Sequence, residues 1–374
     1  MAYKKAKKVL LVSPYSSKTV GGIGTWSRIV LDYANEHGDC EVIFLNTVQG
    51  LPKRWSLNNR LAHVTIGLLD SLLIIIRLTW RMMITMPEVV HYTSSAASAL
   101  YKDRIALWVV KKLFKKKFII HWHFGRIPAI FEEKGREYNL FRRVSANVDL
   151  SIVIDKRSYD VLSSEGLKAT YIPNPIPTAL QYEAERIELD EAAIARNEGE
   201  VLFVGHVLDT KGIKELIHAC CGSTLVKKLI VVGPFFDENL KEEVIEIATQ
   251  RDNGNWLELV GEKNREVVWN YYKKCSLFCL PSYTEGFPYV ILEAMAFACP
   301  IIATTVGAIP EMLSEDCGVL VEPKMIDPLK GSLEKLLQDT NRMRIMGEKA
   351  HARVLGEYTI DRVFSKYEQY WKTI

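Results

Sequence analysis

The chain is expected to fold as an α/β protein of two doubly wound, Rossmann-like domains, and three observations carry that expectation. Short apolar runs bounded by glycine, proline and polar residues alternate with helical stretches, once before residue 177 and again after it. The 374 residues suffice for two cores, and 48% hydrophobic with 25% charged residues is ordinary globular composition. The charge changes sign along the chain: residues 1–177 hold 26 Lys/Arg against 14 Asp/Glu, whereas 178–374 hold 22 against 31. A boundary near Pro177 follows, with something anionic facing the first half. The 7 cysteines are scattered without metal-ligand spacing, which fits a reducing cytosol better than a disulfide framework. The basic residues before Val9 precede an apolar run too short for a secretory leader.

In the first half, Lys8–Ser13 reads as a buried strand. The loop 14–24 follows, and Thr25 is placed to cap a helix over 26–36 that His37-Gly38 ends. Gly21 and Gly22 in this loop would let the backbone approach a phosphate or sugar; an ordinary strand-to-helix turn looks the same. The run lacks the dinucleotide-binding spacing. Glu41–Asn46 is the next strand. Residues 64–86 are the most apolar stretch, about as long as a membrane span. Asp70, Arg77 and Arg81 fall on one narrow stripe of it, so a buried or interfacial helix fits better than a spanning one. A short strand over 88–92 precedes a helix over 96–117, where Trp108, Leu113 and Phe114 stand among seven basic residues and one acid, Asp103. That composition suits a helix lying on anionic lipid, although a solvated basic face has it too. The strand 118–123 alternates so that His121 and His123 share a face, at an edge where doubly wound sheets place ligands. Zinc is the rival reading, without a third ligand of recognisable spacing. Strands at 150–154 and 169–172 flank a helix, and the proline-rich 173–177 reads as an interdomain linker. No nucleic-acid motif is present.

The second half opens with a linker and helix over 181–200 and a strand over 201–204. The loop 205–212, holding His206 and Lys211, leads into a helix from Ile213, and such a helix N-terminus favours phosphate. Strands at Lys228–Val232 and 256–260 end in glycine loops, and Arg265–Lys274 is helical. A strand at 277–280 leads through the loop 282–286 into a helix over 289–298, followed by the strand Ile301–Thr304. Pro288 suits the first helical position. Glu285 thus sits on a strand-end loop and Glu293 one to two turns into the helix, with the helix's N-terminal amides between them. Carboxylates flanking an anion cradle match a nucleotide-sugar, whose hydroxyls want acceptors and whose diphosphate wants donors. Helix 309–313, strand 318–321, helices from Asp327 and an amphipathic helix over 360–371 complete the chain.

The run EGFPYVILEAMAFACPIIAT, from Glu285 to Thr304, closely resembles the signature of retaining glycosyltransferases of family 4. The resemblance extends from about Lys8 to the end, tight across 201–322 and loose across 1–150. It implies the GT-B fold: two Rossmann-like domains facing a central cleft, with 1–177 binding the acceptor and 178–358 the donor, and a helix over 359–374 packing back on the first domain. It also implies transfer of a sugar, with retention, from a UDP- or GDP-sugar to a hydroxyl of a saccharide or lipid-linked acceptor. No metal or other cofactor is implied, and the setting would be bacterial cell-surface polysaccharide or glycolipid synthesis. Gly21 and Gly22 match the family's donor-facing glycine pair. His123 matches best the histidine that contacts the donor sugar from the first domain, with His121 the other candidate. Lys211 matches the diphosphate-binding lysine, whereas His206 stands where an arginine is usual. Gly286, Phe287 and Val290 belong to the donor-binding turn and helix. Glu285 would hold donor-sugar hydroxyls and Glu293 the ribose, so Glu285, His123 and Lys211 form the expected catalytic set. With its basic first half, the protein is expected at an anionic membrane surface, peripheral on the inner face of the cytoplasmic membrane. Two other functions fit the same residues: a nucleotide-sugar 2-epimerase, which needs no acceptor, and a non-catalytic nucleotide-sugar-binding protein, motivated by His206.

Overall fold

The computed structural model describes residues 6–15, 21–48, 60–189 and 196–374. It divides into two units, Met1–Pro175 with Ile360–Ile374, and Ile176–Thr359.

The first unit is built on six parallel strands: β1 (Lys8–Ser13), β2 (Glu41–Asn46), β3 (Val89–Ser94), β4 (Lys117–Trp122), β5 (Leu150–Val153) and β6 (Ala169–Tyr171), in the order β2-β1-β3-β4-β5-β6. All six residues of β3 are buried, as a parallel strand covered on both faces requires. The chain steps from β1 out to β2, then returns past β1 to β3. Right-handed crossovers therefore put helix Gly22–His37 on one face and helices Arg60–Thr85 and Ala99–Trp108 on the other. The second unit repeats the plan with β7 (Asn197–Val204), β8 (Lys228–Val232), β9 (Leu257–Gly261), β10 (Cys275–Leu280), β11 (Ile301–Thr304) and β12 (Val319–Val321), in the order β12-β11-β10-β7-β8-β9. Its reversal lies between β7 and β10, the position where doubly wound sheets open a ligand crevice.

Several boundaries differ from the sequence expectation, each for a local reason. Helix Gly22–His37 begins three residues before Thr25: Gly21 is its N-cap and the Thr25 N–H already bonds to the Gly21 carbonyl at 3.0 Å. The helix expected over 96–117 is shorter. Ala96 and Ala97 have positive φ, Ala99–Trp108 is α-helical, and Val109–Leu113 widens into a π-turn before Lys115, again at positive φ, stops it. In place of a linker and helix over 181–200, the structure has helix Thr178–Glu185 and a strand from Asn197, with 190–195 outside the described residues. The helix expected to reach residue 298 is Tyr289–Ala296; Ala298 turns to φ 50 and the Cys299 N–H bonds back to the Ala294 carbonyl at 2.9 Å.

The last helix, Ile360–Thr373, belongs to the first unit. It buries Val363, Phe364, Tyr367 and Trp371. Trp26 Nε1 donates to Tyr367 Oη at 3.0 Å, and Lys372 pairs with Asp39 at 2.7 Å.

Candidate active site

The reversal of the second sheet brings together the loops after β7 and β10. Gly212 makes this approach possible: at φ 69, a Cβ there would meet the Pro281 carbonyl oxygen at 2.1 Å. The Tyr283 N–H bonds to the Thr210 carbonyl at 2.8 Å, fastening one loop to the other. Lys211 Nζ then lies 2.6 Å from Glu285 Oε1, and Ser282 Oγ donates to the same oxygen at 2.7 Å. The pair is sheltered, with side-chain exposures of 25% and 10%. Ser282 is held in turn by Thr304, whose Oγ1 donates to its carbonyl at 2.6 Å. From the other side Gly307, at φ 55, supports the Glu285 loop so closely that a Cβ would meet the Glu285 carbonyl oxygen at 2.3 Å. The Gly286 carbonyl accepts from the Ala308 N–H at 2.9 Å.

The signature thus forms a strand-end carboxylate, a tight turn and a helix whose N-cap, Pro288, provides no side-chain acceptor. That whole arrangement lies inside a stretch that resembles a known sequence family. Residues 185–353 match the model of the family described as glycosyl transferases group 1. An uncharacterized glycosyltransferase of Methanocaldococcus jannaschii is 30% identical over 221 residues, covering 58% of this chain and 56% of that one. The capsular polysaccharide biosynthesis glycosyltransferase CapM of Staphylococcus aureus is 28% identical over 176 residues, 46% of this chain and 45% of its own. The chain thus spans about half the length of the curated relatives it matches. Among solved structures, Anabaena HepE in complex with UDP-glucose superposes with a TM-score of 0.71 at 15% identity, over 98% of this chain and 100% of that one. At that identity the likeness concerns the fold, which is GT-B.

Within this matched stretch, Glu293 sits on helix Tyr289–Ala296 with 15% of its side chain exposed, and Arg265 Nε is 3.9 Å from its Oε1. Burial lifts its pKa to about 6, against the pull of Arg265 and the nearby Tyr272 and Trp269. Phe287 is buried and its ring packs edge-on against Tyr358, so it anchors the turn. Val290 is half-buried and its carbonyl accepts from Tyr272 Oη at 3.2 Å. His206 packs edge-on against Phe236, and burial, then the Lys211 charge, push its pKa below the ordinary value, with Glu262 opposing.

The structure therefore joins Lys211 with Glu285, and gives Glu293 a separate partner in Arg265. Sequence reasoning passed over Ser282 and Arg265. Arg265 did carry a signal, since a cation in the first turn of a helix opposes the macrodipole.

In the first unit, Gly21 and Gly22 open helix Gly22–His37, and a Cβ on either would meet nothing within 4 Å. Crowding among the described residues does not require glycine there. His121 and His123 share a face as expected, their ring centroids 4.0 Å apart, but only His123 lies beyond the strand end. His121 belongs to the packing of the last helix. Trp371 Nε1 donates to His91 Nδ1 at 3.0 Å, and His91 Nε2 lies 3.2 Å from His121 Nδ1. A neutral His91 that accepts at Nδ1 must carry its proton on Nε2 and donate it onward, so His121 is protonated at Nε2. Burial lowers the pKa of His91 and of His123 to about 3, and also depresses that of His121, so all three are neutral.

Proposed function

We propose that the protein is a retaining glycosyltransferase that moves a sugar from a nucleoside diphosphate to a hydroxyl of a saccharide or lipid-linked acceptor. The observation that carries this reading is the Lys211–Glu285 pair at the sheet reversal of a group 1 domain. The UDP-glucose bound by HepE and the capsular polysaccharide role named for CapM support a nucleotide-sugar donor and a polysaccharide or glycolipid setting.

In this reading Lys211, His206 and the amides of helix Tyr289–Ala296 receive the diphosphate. The bond from anomeric carbon to diphosphate oxygen breaks, its electron pair leaving with the diphosphate, and the acceptor oxygen bonds on the same face. The acceptor's proton passes to the departing phosphate oxygen. Lys211 stabilises the charge growing there, a contribution largest where water is excluded. Both neighbours of Glu285 address Oε1, so Oε2 is the oxygen offered to a donor-sugar hydroxyl. Glu293 accepts from the ribose hydroxyls. No resident metal or cofactor is part of the proposal. The acceptor side faces the inner surface of the cytoplasmic membrane, where the basic first half associates with anionic lipid.

A thermal-shift screen against UDP-, GDP- and ADP-sugars tests the donor. Proton NMR of the product then tests retention through the anomeric coupling of the transferred sugar. A nucleotide-sugar consumed without any acceptor and returned as its epimer would overturn the transferase reading. Donor binding without turnover, across acceptors, would leave a binding protein.

A further inference from the structure

The outward face of helix Arg60–Thr85 is apolar where a solvated helix would be polar. At about 100° per residue, Leu69, Leu72, Leu73, Ile76, Trp80 and Ile84 fall within about one third of the helix circumference. They are between 39% and 60% exposed. On the opposite side Ile74, Leu78 and Met82 are at most 3% exposed, with Leu78 and Met82 in the core beneath the sheet. Asp70, Arg77 and Arg81 are confined to the seam between the two faces, so the helix is apolar twice over. Its neighbour in contact, Ala99–Trp108, turns Tyr101, Ile105 and Trp108 outward at 70%, 51% and 58% exposure. Behind that helix, Lys111 and Lys117 pair with Asp149, while Lys112, Lys115 and Lys116 have no acidic partner among the described residues.

We propose that this face lies in the acyl region of one leaflet of an anionic bilayer, with the helix axis in the membrane plane. The proposal rests on the peripheral-membrane part of the function above and gives it a depth. Charge complementarity selects the occupant. Arg77 and Arg81 edge the apolar face, and Lys112, Lys115 and Lys116 follow Trp108 closely in the chain; none of them has an acidic partner among the described residues, and they meet phosphate at headgroup level. A second copy laid on the same patch would bring the same cations against them. Trp80, Trp108 and Tyr101, each an apolar ring with a polar edge, are the side chains that prefer the boundary between acyl chains and headgroups. None of the described helices is long and apolar enough to cross a membrane, which leaves an in-plane position.

The test is flotation of the full chain with vesicles of phosphatidylcholine, alone or mixed with phosphatidylglycerol, beside the variants Ile76→Glu and Trp80→Glu. The parent should float with the mixed vesicles, and each variant should lose roughly tenfold in bound fraction. Both side chains are exposed, so the melting midpoint and UDP affinity should stay at parental values. Parental flotation by Ile76→Glu, abolished by Lys112→Glu with Lys116→Glu, would overturn insertion and leave surface charge as the attachment. A parent that never floats would overturn insertion and peripheral association together. A parental dimer that Ile76→Glu turns into a monomer, without flotation by either, would assign the face to a second copy. UDP binding, measured separately, reports the donor site in every case.

Discussion

Glu293 keeps its proton longer than an ordinary glutamate, because burial lifts its pKa to about 6. In the ligand-free fold this favours the protonated form, so its stabilising contribution is present at acid pH and lost as pH rises through about 6. In the proposed function ribose hydroxyls donate to this carboxylate, so donor binding would work in the opposite direction and draw the pKa down. UDP affinity should therefore be full above about pH 6 and fall as the pH drops through it. Glu293→Gln should remove that acid limb and weaken UDP by roughly 1–3 kcal/mol, read by calorimetry from neutral to mildly acid pH. His206 supplies the other sign. It is neutral in the free protein at neutral pH, and a diphosphate arriving there as proposed would raise its pKa, so binding should take up a proton and weaken as pH rises. His206→Arg should flatten the alkaline limb; a profile unchanged by that substitution would take His206 off the diphosphate. Glu285→Ala should cost roughly 10²-fold in turnover, the scale of one preorganised contact, while UDP affinity holds because Lys211 is freed for the diphosphate. A large loss of UDP affinity in that variant would reverse the roles given to Glu285 and Glu293.

At the scale of elements, Gly307 is an exacting position of the site. Its φ of 55 and the 2.3 Å approach to the Glu285 carbonyl leave no room for a methyl group. Gly307→Ala should lower the melting midpoint by an amount equivalent to about 1–3 kcal/mol and weaken UDP binding with it, since relief comes only by moving the Glu285 loop. Parental UDP affinity in a destabilised Gly307→Ala protein would show that the loop does not carry the donor. Much of this element plan was legible in the chain: β1, β2, β8 and β11 have the expected bounds, because each is an apolar run bracketed by turn residues. Helices Ile127–Glu133, Arg136–Ser145 and Glu238–Thr249 were not foreseen; at 7, 10 and 12 residues each offers only a short window in which a helical period can show. The Lys211–Glu285 bond joins residues 74 apart, and no spacing rule reaches across that interval. Nor did hydrophobicity reveal which face of helix Arg60–Thr85 is covered. Apolar residues on both sides read alike until the sheet shows which side it occupies.

For the whole molecule, each unit has its own sheet and core, and the first is completed by the chain's last helix. Trp371→Ala would remove a fully buried ring and leave His91 without its donor, at a cost of roughly 3–5 kcal/mol. Removing 360–374 altogether should unfold the first unit while the second still melts cooperatively and binds UDP. Calorimetry of the truncated chain would show one transition in place of two, or in place of one merged transition of larger enthalpy. A first unit that survives the truncation would make the helix an accessory. The opposite charges of the halves were readable as a boundary, which the structure sets between Pro175 and Ile176. The return of the last helix to the first unit came from the family resemblance, because its amphipathic pattern names no partner.

That return has a consequence for the order in which the protein can be made. Ribosomes deliver the chain from its N-terminus at roughly 5–20 residues per second, and domains ordinarily fold as they emerge. Here the strands before residue 176 have to wait for the helix over 360–373. Trp26 and His91 have no indole or phenol to meet until Tyr367 and Trp371 are released. The second unit, continuous in sequence, is free to fold ahead of it. The apolar outer face of helix Arg60–Thr85 stands exposed through that interval, so a nascent chain engaged by lipid during synthesis would be protected at the stage when it is most prone to aggregate.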